Sequence, residues 1–181
     1  MRLMMLRHAP AMTGGRLAGR TDVDADCSDA RALAWVGAHV RGRVLASPAR
    51  RCVQTAQAIG HPAEATDAAL WEQNHGIYEG ATPDAIPDLG PLPAAELAAW
   101  RAPGGESFTD MAARVIPVLR GLSGDTLIVA HAGTVRAALS MVVGPAALSF
   151  SVAPLSLTTL RRVGDDWAVD YVNLTAPKVA T

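Results

Sequence analysis

Arg2-Leu3-Met4-Met5-Leu6-Arg7-His8-Ala9-Pro10, at the head of the chain, is a short apolar run that stops at an Arg-His pair. Unbroken apolar character over this length suits a strand of a parallel sheet, covered on both faces. Pro10 has no amide hydrogen and cannot extend the ladder. In open α/β sheets, ligands gather at the carboxyl ends of the strands. Arg7 and His8 fall there, and offer a permanent cation beside an imidazole that can serve as a nucleophile. Phosphoryl transfer to nitrogen needs that combination.

The same arrangement recurs later. Thr126-Leu127-Ile128-Val129-Ala130 is a second continuous apolar strand, and His131-Ala132-Gly133 follows at its tip, before a helix from Thr134 to about Val143. Between the two strands, Ser28 is a plausible N-cap for a helix to about Val40, and Val44–Ala46 reads as a buried strand. Ser47-Pro48 opens a helix over 49–59, which Gly60 ends. Residues 63–70 are expected to hold another strand, and 71–80 an irregular segment. Residues 81–105, rich in Pro, Gly and Asp with a short helix near 94–100, are expected to form a lid. A helix then starts within 104–107 and runs to about Leu122, kinked at Pro117. Strands over 155–162 and 167–173, joined through Gly164-Asp165-Asp166, close the chain. The expected fold is α/β: one three-layer α/β/α domain over residues 1–181 with a mostly parallel sheet.

Composition narrows the function. At 181 residues, half of them hydrophobic and 18% charged, the chain is globular and long enough for one sizeable core. Sixteen basic residues against seventeen acidic ones give a net charge of −1, which argues against broad binding to nucleic acid. Any anion site must be local. The two cysteines, Cys27 and Cys52, lack metal-binding spacing and read as free thiols of a reducing compartment. Arg7 and His8 interrupt the N-terminal apolar run too early for a signal peptide, so the expected location is cytoplasmic. No charge occurs between Arg136 and Arg161, a stretch long enough to span a membrane. Gly144-Pro145 and Pro154 break it, so it reads as core rather than membrane. The five histidines do not cluster with carboxylates, so no metal is expected.

The candidate site consists of His8, His131, Arg7, Arg51 and Glu72. Taken singly, each has an ordinary structural reading; together they fall at strand ends or just after them, where a parallel sheet makes one crevice. Arg50 and Arg51 stand in the first turn of their helix, where the macrodipole disfavours cations. That placement makes sense if an anion also sits there. The glycine-rich basic loop Thr13-Gly14-Gly15-Arg16-Leu17-Ala18-Gly19-Arg20 lies over the first strand's end.

The order of these motifs resembles the histidine phosphatase superfamily, of phosphoglycerate-mutase-like fold. The resemblance is carried by Leu6-Arg7-His8-Ala9, Ser47-Pro48-Ala49-Arg50-Arg51-Cys52-Val53-Gln54-Thr55-Ala56, Glu72 with Gly76-Ile77-Tyr78-Glu79-Gly80, Gly104-Gly105-Glu106-Ser107-Phe108, and Val129-Ala130-His131-Ala132-Gly133-Thr134-Val135-Arg136. It implies a phosphomonoester hydrolase of histidine acid phosphatase type that needs no cofactor. His8 is then the nucleophile that becomes phosphohistidine, Arg7 and Arg51 grip phosphate with His131, and Glu72 protonates the leaving oxygen. Two departures matter. Ala9 replaces the family's usual glycine, and an asparagine common in the following loop has no counterpart, leaving Thr13 or loop amides to take its place. The short segment after the acid loop, with Arg101 as its one basic residue, looks unlike the cofactor-dependent mutases; together with Gly104-Gly105-Glu106-Ser107-Phe108 it looks most like the α-ribazole phosphatase branch of cobalamin nucleotide-loop assembly. The implied partner is a small phosphate ester, with no nucleic acid or membrane, and monomer or homodimer stays open. The alternatives are a mutase-type phosphotransferase and a catalytically silent phosphate-binding module.

Overall fold

The computed structural model describes residues 1–177. Strands β1 (Arg2–Arg7), β2 (Arg43–Ala46), β3 (Ala65–Thr66), β4 (Thr126–Ala130), β5 (Leu157–Val163) and β6 (Asp166–Leu174) form one sheet in the order β3-β2-β4-β1-β5-β6. The pairs β1–β4, β2–β4 and β2–β3 are parallel, whereas β5 and β6 add an antiparallel edge. The helices are α1 (Ala30–His39), α2 (Arg50–Ala58), α3 (Ala94–Ala99), α4 (Phe108–Arg120) and α5 (Ala132–Val143).

The apolar strands explain the layering. Successive side chains of a strand point to opposite faces, so Leu3 and Met5 of β1 pack with Met111, Val115 and Leu119 of α4 and Leu139 of α5. Met4 and Leu6 pack on the other face, with Leu33 and Val36 of α1 and Cys52 and Ala56 of α2. A helical layer thus covers each face of a mixed, predominantly parallel sheet, as expected. The apolar helical stretch Ala132–Ser149 is 18 residues long with mean hydropathy 1.2, enough by length and composition to cross a membrane. Here it turns at Gly144, where φ is +59°, and packs through Val135, Ala138 and Leu139 into the core.

Several local expectations are corrected. Asp29, not Ser28, caps α1, its carboxylate accepting from the Ala32 amide. The strand expected over 63–70 shrinks to Ala65–Thr66, because the Asp67 side chain accepts from Ala69 N and starts a single helical turn that buries Leu70. Helix α4 begins after Ser107, whose hydroxyl and Asp110 form a reciprocal capping box. It contains Pro117 and ends at Arg120.

The anion expected at the start of α2 belongs to the protein itself. Ala49 gives this helix no side-chain cap. Instead the Asp22 carboxylate accepts from Arg50 N at 2.8 Å, and Asp24 pairs with the Arg50 guanidinium. Asp22 thus satisfies the free Arg50 amide, and Asp24 answers the misplaced cation.

Candidate active site

Strands β1 and β4 are neighbours in register, Arg7 opposite Ala130, so the residues just past them meet. His8 and His131 lie edge to face with ring centres 5.2 Å apart. Above them opens a cavity of about 550 Å³, lined by Arg7, His8, Thr13, Glu72, Gly133 and Arg136 among others. The sequence-predicted group is therefore brought together, but its members occupy two levels.

His8 faces the cavity. Its Nδ1 lies 2.6 Å from the Ala9 carbonyl; a carbonyl only accepts, so Nδ1 carries the proton and Nε2 keeps the lone pair. Burial, reinforced by the charges of Arg51 and Arg7, outweighs that bond and lowers the imidazole pKa to about 3. His8 is thus neutral at physiological pH with an open nitrogen. Ala9 is fully buried and keeps negative φ, and its amide donates to Thr55 Oγ1 at 2.9 Å. The backbone after this histidine does not require glycine.

Arg7 donates through Nη1 to Val152 O at 2.6 Å, while its buried Nε has no partner among the described residues. Burial lowers its pKa; the charge of Glu72 opposes that and the charge of Arg136 adds to it.

Arg51 and His131 do not line the cavity; they lie beneath its floor. Arg51 is 1% exposed and donates to Gly19 O and Thr21 O at 2.8 and 3.0 Å. His131 is fully buried, with Nε2 2.9 Å from Ser47 Oγ and 3.6 Å from Cys52 Sγ. Its pKa is lowered by burial first, then by the charges of His8 and the nearby arginines. Burial likewise raises the Cys52 thiol, which makes it an inert packing group.

Glu72 receives the Gly133 amide at 3.3 Å, at the start of α5. A Cβ at Gly133 would overlap the Glu72 carboxylate and the Met111 thioether, so any larger residue there would push the acid from its present place. The loop bearing the acid is clamped by Arg114 of α4, which donates to Ala69 O, Trp71 O and Glu72 O at 2.5, 2.8 and 3.0 Å. Glu106 holds Arg114 in turn with two bonds of 2.8 Å and accepts from Asn74 N. A second clamp, Glu79, accepts from the amides of Gly19, Arg20, Thr21 and His75. Burial alone would raise its carboxyl, but the hydrogen bonds from Arg20, His75 and Thr21 outweigh that and hold it at about 2. Glu79 thereby fixes the carbonyls that Arg51 holds.

Sequence reasoning missed Arg114, Arg136 and Gly133 as parts of the site. Arg114 is an unremarked charge inside a helix, and no linear pattern says that it faces the acid loop. Gly133 and Arg136 stand within the motif that begins at Val129, yet the motif alone gives neither of them a role. Residues 81–105 supply no cavity lining; the walls come instead from the 10–18 loop, the acid loop and α5. Trp71 stacks on His131 at 6.4 Å, and Tyr78 on Trp100 at 6.4 Å; none of the three lines the cavity. Among the described residues, no three His, Cys, Asp or Glu side chains gather as a metal would need.

A strand-tip histidine pair with arginines and an acid, on this sheet order, defines a class. The family model for the histidine phosphatase superfamily (branch 1) matches residues 3–175, and the chain belongs to that superfamily. A glucosyl-3-phosphoglycerate phosphatase of Mycolicibacterium vanbaalenii is 30% identical, the match covering 79% of this chain and 74% of the relative. Among solved structures, Mycobacterial hydrolase 1 superposes with a TM-score of 0.82 at 24% identity, covering 97% of this chain and 99% of that one. The product of open reading frame Rv3214 of Mycobacterium tuberculosis superposes with a TM-score of 0.77 at 25% identity, covering 96% and 97%.

Proposed function

We propose that this chain is a phosphomonoesterase that works through a phosphohistidine intermediate without a metal. The observation that carries the reading is the His8 ring, neutral, tethered through Nδ1 and presenting Nε2 to the cavity. Nε2 attacks phosphorus as the bond from phosphorus to the ester oxygen breaks, and Glu72 gives its proton to the leaving oxygen. Water then attacks phosphorus and passes a proton to the Glu72 carboxylate. The N–P bond breaks, and inorganic phosphate leaves.

A loose phosphoryl transition state asks mainly for positioning and charge. Arg7 and Thr13 meet the phosphoryl oxygens from the wall. Arg51 contributes its charge from beneath, and His131 holds the His8 ring edge-on. Two substrates enter consideration. The short 81–105 segment with Gly104-Gly105-Glu106-Ser107-Phe108 favours α-ribazole 5'-phosphate; the 30% identity to a glucosyl-3-phosphoglycerate phosphatase favours a phosphoglycerate ester.

The test is phosphate release in excess chelator, for wild type and His8→Ala, from an aryl phosphate, α-ribazole 5'-phosphate, 3-phosphoglycerate, glucosyl-3-phosphoglycerate and a phosphohistidine peptide. Release that disappears in His8→Ala, with an acid-labile, alkali-stable phosphoryl-enzyme trapped in wild type, is the expected result. No release from any ester moves the silent phosphate-binding module to the front.

A further inference from the structure

The cavity holds more positive charge than one phosphoryl group requires. Its lining includes Arg7, Arg16 and Arg136 against a single carboxylate, Glu72. Glu72 must itself be protonated before it can act as an acid. Arg7, with Arg51 below, already matches a phosphoryl dianion. Arg16 and Arg136 are left over.

Both are aimed rather than loose. Arg136, on the second turn of α5, donates through Nε to Phe150 O at 3.1 Å. That bond ties down one edge of the guanidinium and leaves both terminal nitrogens without a protein partner among the described residues. Arg16, on the 10–18 loop, donates through Nη1 to Gly80 O at 2.9 Å. Neither has a carboxylate within salt-bridge distance among the described residues. Other arginines near the site are matched, Arg114 and Arg20 by Glu106 and Arg50 by Asp24. Arg136 and Arg7 line the same cavity, and the charge of Arg136 is felt at Arg7. Such like charges are costly when the site is empty and favourable when an anion lies between or beside them. Leu17, Phe108 and Leu148 give the same cavity an apolar wall, suited to a carbon skeleton joining two anionic ends.

Resting on the phosphomonoesterase reading, we propose that Arg136 and Arg16 form a second anion subsite, so that the preferred substrate carries an acidic group on the alcohol that leaves. A guanidinium fork binds a carboxylate or a second phosphoryl group through paired hydrogen bonds. This favours phosphate esters of hydroxy acids, or bisphosphates, over esters of neutral nucleosides. The basic residues come from a helix and a loop on either side of the acid rather than from the 81–105 segment.

The experiment compares kcat/KM within matched pairs: 3-phosphoglycerate against glycerol 3-phosphate, and fructose 1,6-bisphosphate against fructose 6-phosphate. Wild type, Arg136→Gln and Arg16→Gln are measured, with aryl phosphate turnover and His8→Ala as references. Each ratio is taken within one preparation, so it is unaffected by any fraction of a variant that fails to fold. Wild type is expected to favour the acidic member of at least one pair by about tenfold or more, and Arg136→Gln to bring that ratio towards one, mainly through KM. Arg16→Gln, on an exposed loop, moves it in the same direction by less. The favoured pair tells whether the second anion is a carboxylate or a phosphoryl group. A wild-type ratio near one in both pairs overturns the subsite while leaving the phosphatase intact. So does an Arg136→Gln that slows both members equally, which would mark Arg136 as another grip on the transferring phosphoryl. No turnover of any ester, aryl phosphate included, removes the phosphatase reading and this inference with it.

Discussion

His8 and His131 occupy equivalent places, each just past the end of one of two adjacent parallel strands, and their rings nearly touch. Their fates differ because of what surrounds each ring. His8 spends one nitrogen on the carbonyl of the next residue and turns the other to open space. His131 is closed in by Ser47, Cys52 and Trp71. Position at a strand tip makes a histidine available for chemistry; the second ring nitrogen's partner decides whether it is used.

The strongest way to break this comparison is to remove each ring in turn. His8→Ala is expected to lower turnover by about a thousandfold or more, and no phosphoryl-enzyme should be trapped. If His131→Ala instead abolishes trapping while His8→Ala retains it, the roles assigned to the two rings are reversed. His131→Ala should cost stability, roughly 2–4 kcal/mol in urea unfolding, because it leaves a cavity and strands the Ser47 hydroxyl.

A smaller loss is expected from the clamp on the acid loop. Arg114→Lys keeps a cation but cannot reach three carbonyls and a carboxylate with a planar fork. It should lower kcat about ten- to a hundredfold with little change in KM, because the acid is displaced rather than removed. A change confined to KM, or full activity, would show that Glu72 is held well enough without it.

Acid conditions sharpen the contrast most gently. His8 has a folded pKa of about 3 against an ordinary 6.5, and His131 is lowered in the same direction. Over that window the folded chain binds fewer protons than the unfolded chain. The stability contribution is therefore complete above 6.5 and is lost as pH falls towards 3. Glu79, held at about 2, adds a loss in the same direction below its ordinary 4.5. Unfolding free energy should fall steadily from pH 7 to 4, and His8→Asn or His131→Asn should each flatten the slope by up to about 1.4 kcal/mol per pH unit. Because His8 is already neutral at pH 7, its ring followed by NMR should show no protonation step near 6.5; a step there would contradict its burial.

Much of this was legible in the linear order of residues, and the reason is periodicity. Leu3–Leu6 and Leu127–Ala130 are apolar on both faces, as strands covered on both sides require. Each leads to the histidine that marks the site. Weaker periodic signals misled. The stretch 63–70 has no alternation strong enough to resist Asp67, whose side chain starts a turn. The two arginines at the start of α2 suggested an anion there; the acids that answer Arg50 lie 28 and 26 residues earlier, and Arg51 is held by the carbonyls of Gly19 and Thr21, pairings that no local pattern reveals.

Short-range hydrophobic patterning and motif spacing are enough to give the layered fold, the strand-tip histidines and the presence of an acid and arginines in the right order. Only the tertiary structure decided which nitrogen of which histidine is open, that Arg51 and His131 lie below the cavity rather than in its wall, and that Arg136, Arg16 and Arg114 reach the site at all. Those outcomes depend on hydrogen bonds and burial between segments far apart in the chain. Protonation, tautomer and charge balance are set by such neighbours, and they take their values only when the strands bring them together.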